Sequence, residues 1–573
     1  MTGPGLGFLM ERAHTPTTRG RLLLLISLAV IGGWGCHLTS CRADEFFCSS
    51  RSCFGGRLSD AEAAFDRAEY LRDEGDARCV DWYFRAAQLA WLPVQRRAAV
   101  GATGGTAHEL YQTALASLIT TGQETGRWSF THGLLVHAPG GARRIPIRYH
   151  GFPWQPEQFG QLCPVHDPHV SHQINHVYRT DGLGVANIAR SAGKQRFVRA
   201  HQPFAATVVL RPSANSSWSS PNMELHVYDP LRISTVQIDG RPVNLTRDLT
   251  AHLTTKEDGN RETSFMAFVQ PDTSAANRGL FMLEPYQPGK IPVILVHGLL
   301  SSPSTWTNFV NEMHARPDLN DQYQIWEFQY GTGEPFLKSA AMLRDQMFQA
   351  VVSSDPDGQD QALSQIVMIG HSMGGLVSKL QVTSSGQTVW RSFANRPPEA
   401  IVAPPDVMQR LRRYAFFEPS PFVTEVIYVG TPHRGSPWAW RPVGRLAGRL
   451  VEEPSANQAA HERIVAQNPG VFTEEFSARI PTSIDLLRPD SKMLLAMDRL
   501  PMSKQVCQHS IIGSCRCMIG AGDSDGVVPV ESAEHGNVAS EVFVSSKHGR
   551  LNKAESSLDE MFRILRAHAQ RCR

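Results

Sequence analysis

Ile366-Val367-Met368-Ile369 is a continuous apolar run, and it ends in Gly370-His371-Ser372-Met373-Gly374-Gly375. An unbroken run of this kind reads as a strand covered on both faces, which means a parallel sheet flanked by helices. Glycines two before and two after Ser372 fit a serine on a sharp strand-to-helix turn, where a Cβ at either position would strike the neighbouring strand or helix. Such a turn lifts the Ser372 hydroxyl out of the sheet. The helix after it, carrying Leu376, Val377 and Leu380, points its positive N-terminal dipole at any negative charge developing there. Beyond Pro288 strand and helix signals alternate, so this part of the chain is read as α/β with a mostly parallel, doubly wound sheet.

A second apolar run, Val293-Ile294-Leu295-Val296, ends in His297-Gly298-Leu299-Leu300. With both segments in this order, the sequence resembles the α/β-hydrolase superfamily, on its lipase and esterase side, over residues 286–573. The resemblance implies an oxyanion hole built from the backbone N–H groups of Leu299 and Met373. It also implies the order serine, acid, histidine, with both partners downstream of Ser372 at strand ends. Asp525, in Asp523-Ser524-Asp525-Gly526-Val527-Val528-Pro529, matches the acid loop of bacterial lipases, with Asp523 as the second candidate. His548 comes after the apolar run Glu541-Val542-Phe543-Val544 and takes the base position; His535 lies before that run. His371 is read as a neighbour that shapes the turn, and Gly430-Thr431-Pro432-His433-Arg434-Gly435-Ser436 as a pocket wall. The His-Gly-Leu-Leu, Gly-His-Ser-Met-Gly-Gly and Thr-Pro-His-Arg-Gly segments also resemble the GPI inositol deacylases.

Insertions at about 382–424 and 437–503 are longer than simple connections and are expected to cap the site. Trp390, Phe393, Phe416, Phe417, Trp438 and Trp440 within them are candidates for an apolar substrate pocket, with core packing as the competing role. The arginines Arg410, Arg412, Arg413, Arg441, Arg445 and Arg449 read as solvated helix faces, with anionic headgroups as the second reading.

At 573 residues the chain exceeds one ordinary domain. Arg12, Arg19 and Arg21 precede the apolar stretch Leu22 to Ile31, too short for a comfortable membrane span and of the length of a signal-peptide core. Leu38-Thr39-Ser40-Cys41 resembles the lipobox of bacterial lipoproteins, so residues 1–41 are read as an export signal with Cys41 as the lipid attachment and Cys36 as the poorer match; a plain signal peptide of a secreted protein or an uncleaved anchor helix is the competing reading. A linker is expected at 42–57 and a helical module at 58–125, with capping boxes at Ser59/Glu62 and Thr106/Glu109. That module serves either as a packing lid for the rest of the chain or as a protein-binding surface. A β-rich domain is expected at 126–285, with a hairpin turn at Asp239-Gly240.

The ten cysteines read as disulfides in an exported protein. A zinc site from Cys507, His509, Cys515 and Cys517 is the alternative reading of four of those positions. Lys plus Arg is 56 against 54 Asp plus Glu, a net charge of +2, which lacks the excess that phosphate-backbone binding needs and sets nucleic acid aside. No phosphate loop or nicotinamide fingerprint accompanies a suitable strand and helix, so no cofactor is expected. The expected activity is hydrolysis of carboxylic esters with lipid-like or other apolar acyl groups, at the cell envelope. An amidase, peptidase or acyltransferase would use the same residues, and a non-catalytic envelope scaffold is the alternative from another class.

Overall fold

Alternate residues along the apolar runs go to opposite faces of one sheet, as the two-residue period of a strand requires. Val293, Leu295, Val367, Ile369, Ile427 and Val429 pack with Trp306, Phe309, Leu558 and Phe562. Ile294, Val296, Ile366, Met368 and Val426 pack on the other side with Met347, Leu376 and Val377. Burial on both faces is why these strands show no polar alternation.

The computed structural model describes residues 58–98, 105–138, 140–165, 174–193, 195–213, 222–254, 278–440, 455–515 and 523–572. The export segment, Cys36, Cys41 and the linker at 42–57 lie outside them. The central sheet has seven strands, in the order Gly279–Met282, Tyr323–Gln329, Ile291–Val296, Ile366–His371, Val423–Val429, Cys507–Gly513 and Ser540–Val544. All pairings are parallel except that of Gly279–Met282, which runs antiparallel along Tyr323–Gln329. Helices Phe336–Ser354 and Met373–Lys379 contribute to the core on one face, and Thr307–His314 and Glu555–Arg571 to the core on the other, giving the doubly wound α/β arrangement expected. The sheet starts ahead of the boundary placed at 286, because a four-residue edge strand is too short for its periodicity to register.

Ahead of this sheet lie helices Leu58–Asp73, Cys79–Ala98 and Thr106–Glu124, then a five-stranded sheet ordered Ile147–His150, Met223–Tyr228, Pro203–Pro212, Val185–Ser191 and Phe159–Pro164. The capping box expected at Thr106 is not formed: Thr106 is already inside the helix and Gly105, at φ 88°, is its cap. Ser59 likewise lies inside the first helix. The Asp239-Gly240 turn does close a hairpin, both residues having positive φ.

Among the described residues the helices serve as packing for the five-stranded sheet. Tyr111 donates its hydroxyl to the Leu210 carbonyl at 2.8 Å and accepts from the Leu210 amide at 2.9 Å. Gln123 pairs with Leu162 through both its amide nitrogen and its carbonyl oxygen, as a neighbouring strand would. The five-stranded module is joined to the central sheet at its edge, where the Met282 amide donates to the Phe197 carbonyl at 2.6 Å and Arg199 pairs with Glu327 at 2.7 Å. No helix among the described residues is long and apolar enough to cross a membrane.

Cys79, Cys163, Cys507 and Cys572 are free thiols rather than disulfides, whereas Cys515 is disulfide-bonded. The zinc alternative fails on His509, whose two ring nitrogens are bonded to Ser540 Oγ and Glu425 Oε1, each at 2.7 Å. Cys517 lies outside the described residues.

Candidate active site

Ser372 joins the end of strand Ile366–His371 to helix Met373–Lys379 at φ 56° and ψ −126°. A non-glycine residue in this region costs about 1–3 kcal/mol, and it persists only where its surroundings hold it. Here the Ser372 amide donates to the Val429 carbonyl at 2.8 Å and the Gly375 amide donates to the Ser372 carbonyl at 2.9 Å. The flanking glycines are required by space. A Cβ on Gly370 would lie 2.6 Å from the Gly374 carbonyl oxygen, and one on Gly374 would lie 2.3 Å from that of Val296.

From this turn a chain of hydrogen bonds runs through three of the residues singled out in the sequence. Ser372 Oγ donates to His548 Nε2 at 2.8 Å, and His548 Nδ1 donates to Asp525 Oδ2 at 2.6 Å. The other carboxylate oxygen of Asp525 accepts from the amides of Val527 at 2.9 Å and Val528 at 2.7 Å, so the acid is aimed by its own loop. The His548 amide donates to the Asp525 carbonyl at 3.0 Å, which ties the two loops together independently of the side chains. A hydroxyl, an imidazole and a carboxylate linked in this order can pass a proton from oxygen to nitrogen while the carboxylate steadies the imidazolium.

Met373 opens its helix, so its N–H is one of the orphan donors of a helix N-terminus. Leu299 comes directly after Gly298, whose Cβ position lies 3.0 Å from Ser372 Cβ; the chain there passes against the nucleophile. Leu300 is held at φ 54° with its amide donating to Thr332 Oγ1 at 3.3 Å. Behind this loop, the Tyr330 hydroxyl donates to the His297 carbonyl at 2.7 Å.

Asp523 is outside the chain of bonds; its carboxylate accepts from Ser514 Oγ at 2.7 Å. His535 is also outside it, stacked on His433 with ring centroids 4.6 Å apart. The 430–436 loop braces the Asp525 segment. His433 is buried, Ser436 Oγ donates to the Val527 carbonyl and Ser532 Oγ to that of Gly435, so the loop fastens the Asp525 segment. Gly430, at φ 57°, has its Cβ position 3.3 Å from Asp525 Oδ2, a need for glycine that no local signal in the sequence marks. Of the aromatic residues in the insertions, Trp390 is buried against Phe393 and Phe416, Phe417 lies under Arg344, and Trp440 is exposed. Arg410, Arg412 and Arg413 pair on the surface with Asp406, Glu399 and Asp345.

His371 contributes more than its expected role of shaping the turn. It is buried, and burial first, then the charge of the nearby His548, holds its pKa down to about 3. The ring is therefore neutral, and Nε2 donates to the His548 carbonyl at 3.0 Å. Among the described residues no cluster of three or more His, Cys, Asp or Glu could hold a metal.

The sequence model of the alpha/beta hydrolase family matches residues 293–533. A search of curated proteins finds no match to this sequence. Among solved structures, the mature form of the Bacillus licheniformis lipase BlEst2 is similar at 16% identity over 50% of this chain and 97% of its own, with a TM-score of 0.31. The Staphylococcus hyicus lipase shares 11% identity over 50% of this chain and 97% of its own, TM-score 0.30. The phospholipase PlaB of Legionella pneumophila shares 14% over 49% of this chain and 59% of its own, TM-score 0.30.

Proposed function

We propose that this α/β hydrolase cleaves carboxylic esters through an acyl-enzyme on Ser372. The observation that carries the reading is the hydrogen-bonded series Ser372–His548–Asp525 on a strained strand-to-helix turn, beside the amides of Leu299 and Met373. In this reading His548 takes the Ser372 proton as Oγ attacks the ester carbonyl. The two amides receive the oxyanion. His548 then returns the proton to the leaving alcohol, and water, activated by the same imidazole, releases the acid. Asp525 fixes the imidazole tautomer and stabilises its cation.

Lipid-like acyl groups are the favoured substrates. The n-region arginines, the short apolar stretch and the Leu38-Thr39-Ser40-Cys41 segment support export and anchoring through Cys41, which would hold the enzyme at a lipid surface. An amidase or acyltransferase would employ the same groups, and a p-nitroanilide series run beside the esters separates the first of these.

The test is labelling of the purified protein by a fluorophosphonate, with Ser372→Ala alongside and p-nitrophenyl esters from acetate to palmitate as substrates. Labelling and turnover that vanish in Ser372→Ala are expected. Undiminished turnover in that variant would remove Ser372 as nucleophile.

A further inference from the structure

Strand Tyr323–Gln329 sends Trp326 and Phe328 into the core, so Glu327 and Gln329, one residue out of step, lie on its opposite face. On helix Thr307–His314, the residues Thr307, Val310 and His314 are three and four positions apart and share one side. Both sets line a cavity of about 580 Å³, within the range of roughly 300–1,000 Å³ typical of ligand sites, which favour the seams between domains. Its other walls include Gln202 and Phe204 of the five-stranded module, Phe281 of the edge strand, and Ser302 and Ser304. The cavity shares no residue with the Ser372 series of hydrogen bonds.

The charged side chains in these walls already have partners in the protein. Arg199 pairs with Glu327 at 2.7 Å, donates to Gln329 Oε1 at 3.2 Å and lies over the Phe281 ring, and Glu284 pairs with Arg232 at 2.7 Å. A charged ligand would lose its hydration and find no countercharge left for it. Two neutral side chains are in the opposite position. Gln202 is 5% exposed, and its main chain is fixed by Ser191, whose Oγ accepts from the Gln202 amide at 2.9 Å and whose amide donates to the Gln202 carbonyl at 3.0 Å; its side-chain Oε1 is buried without a partner. His314, 9% exposed, stacks on His252 with ring centroids 5.5 Å apart, and its Nδ1 is likewise buried without a partner. Burial keeps that ring neutral by holding its pKa down to about 4.

Buried polar groups are nearly always hydrogen-bonded, so these two atoms describe the occupant. An alkyl chain would leave both unpaired. A hydroxyl satisfies both, since it donates to the Gln202 oxygen and either donates to or accepts from His314 Nδ1 according to the tautomer. Ser302 and Ser304 offer a further contact: their hydroxyls share one hydrogen bond at 2.9 Å, which leaves one of the two protons to give. Water would satisfy the polar end too, but Phe204, Leu231, Leu253 and Leu283 also line the space, and the C–H face of a sugar ring covers such apolar surface where water does not. We propose that this cavity binds a neutral sugar, free in solution or as the head group of a glycolipid, at a site separate from Ser372.

Two measurements on the full chain test it. Saturation-transfer NMR with glucose, galactose, mannose and N-acetylglucosamine reads binding of a free sugar. Co-sedimentation with phosphatidylcholine vesicles, with and without digalactosyldiacylglycerol, reads binding of a head group. Binding is expected in at least one arm, and the arm that responds identifies the source. Gln202→Leu should weaken that binding about tenfold, as the loss of one hydrogen bond in a buried site implies, while hydrolysis of p-nitrophenyl butyrate stays unchanged. His314→Phe serves in the same way should the first variant fail to fold. Absence of binding in both arms would mean that the cavity holds water only and overturns the proposal. Binding that survives both substitutions undiminished overturns it as well, because the sugar would then sit elsewhere on the protein.

Discussion

His371 Nε2 and the backbone carbonyl of His548 are 3.0 Å apart, so the residue preceding the nucleophile holds the main chain of the base. The bond aligns the His548 imidazole with Ser372 Oγ without touching the reacting atoms, which makes His371 a positioning residue. Its ring stacks obliquely on that of His548, centroids 4.9 Å apart.

His371→Phe keeps the ring and removes the donor. kcat should fall by about ten- to a hundredfold, the cost of a small misplacement of a catalytic group, with KM for p-nitrophenyl butyrate little changed. His371→Gln, which restores an N–H donor, should recover part of kcat. A rise in KM with kcat intact would assign His371 to substrate binding instead.

Asp525→Asn preserves the shape of the acid loop and removes the charge that fixes His548 Nδ1 as donor. A loss of about four orders of magnitude in kcat is expected from the tautomer change, with an unchanged melting temperature. Asp523→Asn, which alters only the bond to Ser514, should leave kcat within about twofold, well under the 1.4 kcal/mol that a tenfold change represents.

Gly375 illustrates how tightly the turn is packed: a Cβ there would lie 1.8 Å from Thr431 Oγ1 and 2.7 Å from Thr431 Cγ2. Gly375→Ala should destabilise the protein by about 1–3 kcal/mol through overpacking, read as a lower urea midpoint. Combining it with Thr431→Gly should recover part of the loss. Simple additivity of the two changes would show that the clash is relieved elsewhere.

Acid should destabilise the protein well before carboxylates are titrated. Burial holds His371 down to about 3 and His297, His314, His535 and His568 down to about 4, from an ordinary 6.5. Each is neutral in the folded chain but free to charge once unfolded. Below about pH 6.5 the unfolded state therefore binds more protons, and stability falls with pH until the folded values are reached. Melting temperatures recorded across this window should decline steeply between about pH 6.5 and pH 4, and should be flat above it. A flat profile throughout would mean that these rings are accessible to water.

The parallel core and the Ser372 turn were legible in the sequence because each is carried by a local signal, whereas Asp525 and His548 were reached only through the resemblance to the α/β-hydrolase superfamily and its residue order. Val293 to Val296 and Ile366 to Ile369 are unbroken apolar runs, and the glycines around Ser372 answer to a steric rule that holds wherever such a turn occurs. What could not be read was set by contacts between distant segments. Nothing local to His371 indicates that it meets the carbonyl of residue 548. The packing of His433 against Tyr428 and His535 joins separate segments of the chain and has no local mark in the sequence. The tryptophans of the insertions carry no local mark that separates pocket from core, and only the packing of Trp390 against Phe393 and Phe416 places it in the core.

The edge strand Gly279–Met282 has a consequence for how the central sheet ends. A row of unpaired amides and carbonyls at a sheet edge invites pairing with another chain, and the next strand in, Tyr323–Gln329, is buried along nearly its whole length. The antiparallel strand covers that row, and Phe197 and Val198 of the five-stranded module cover Met282 in turn. A fragment beginning at residue 286 would carry the whole Ser372 site but leave the Tyr323–Gln329 edge of the sheet uncovered.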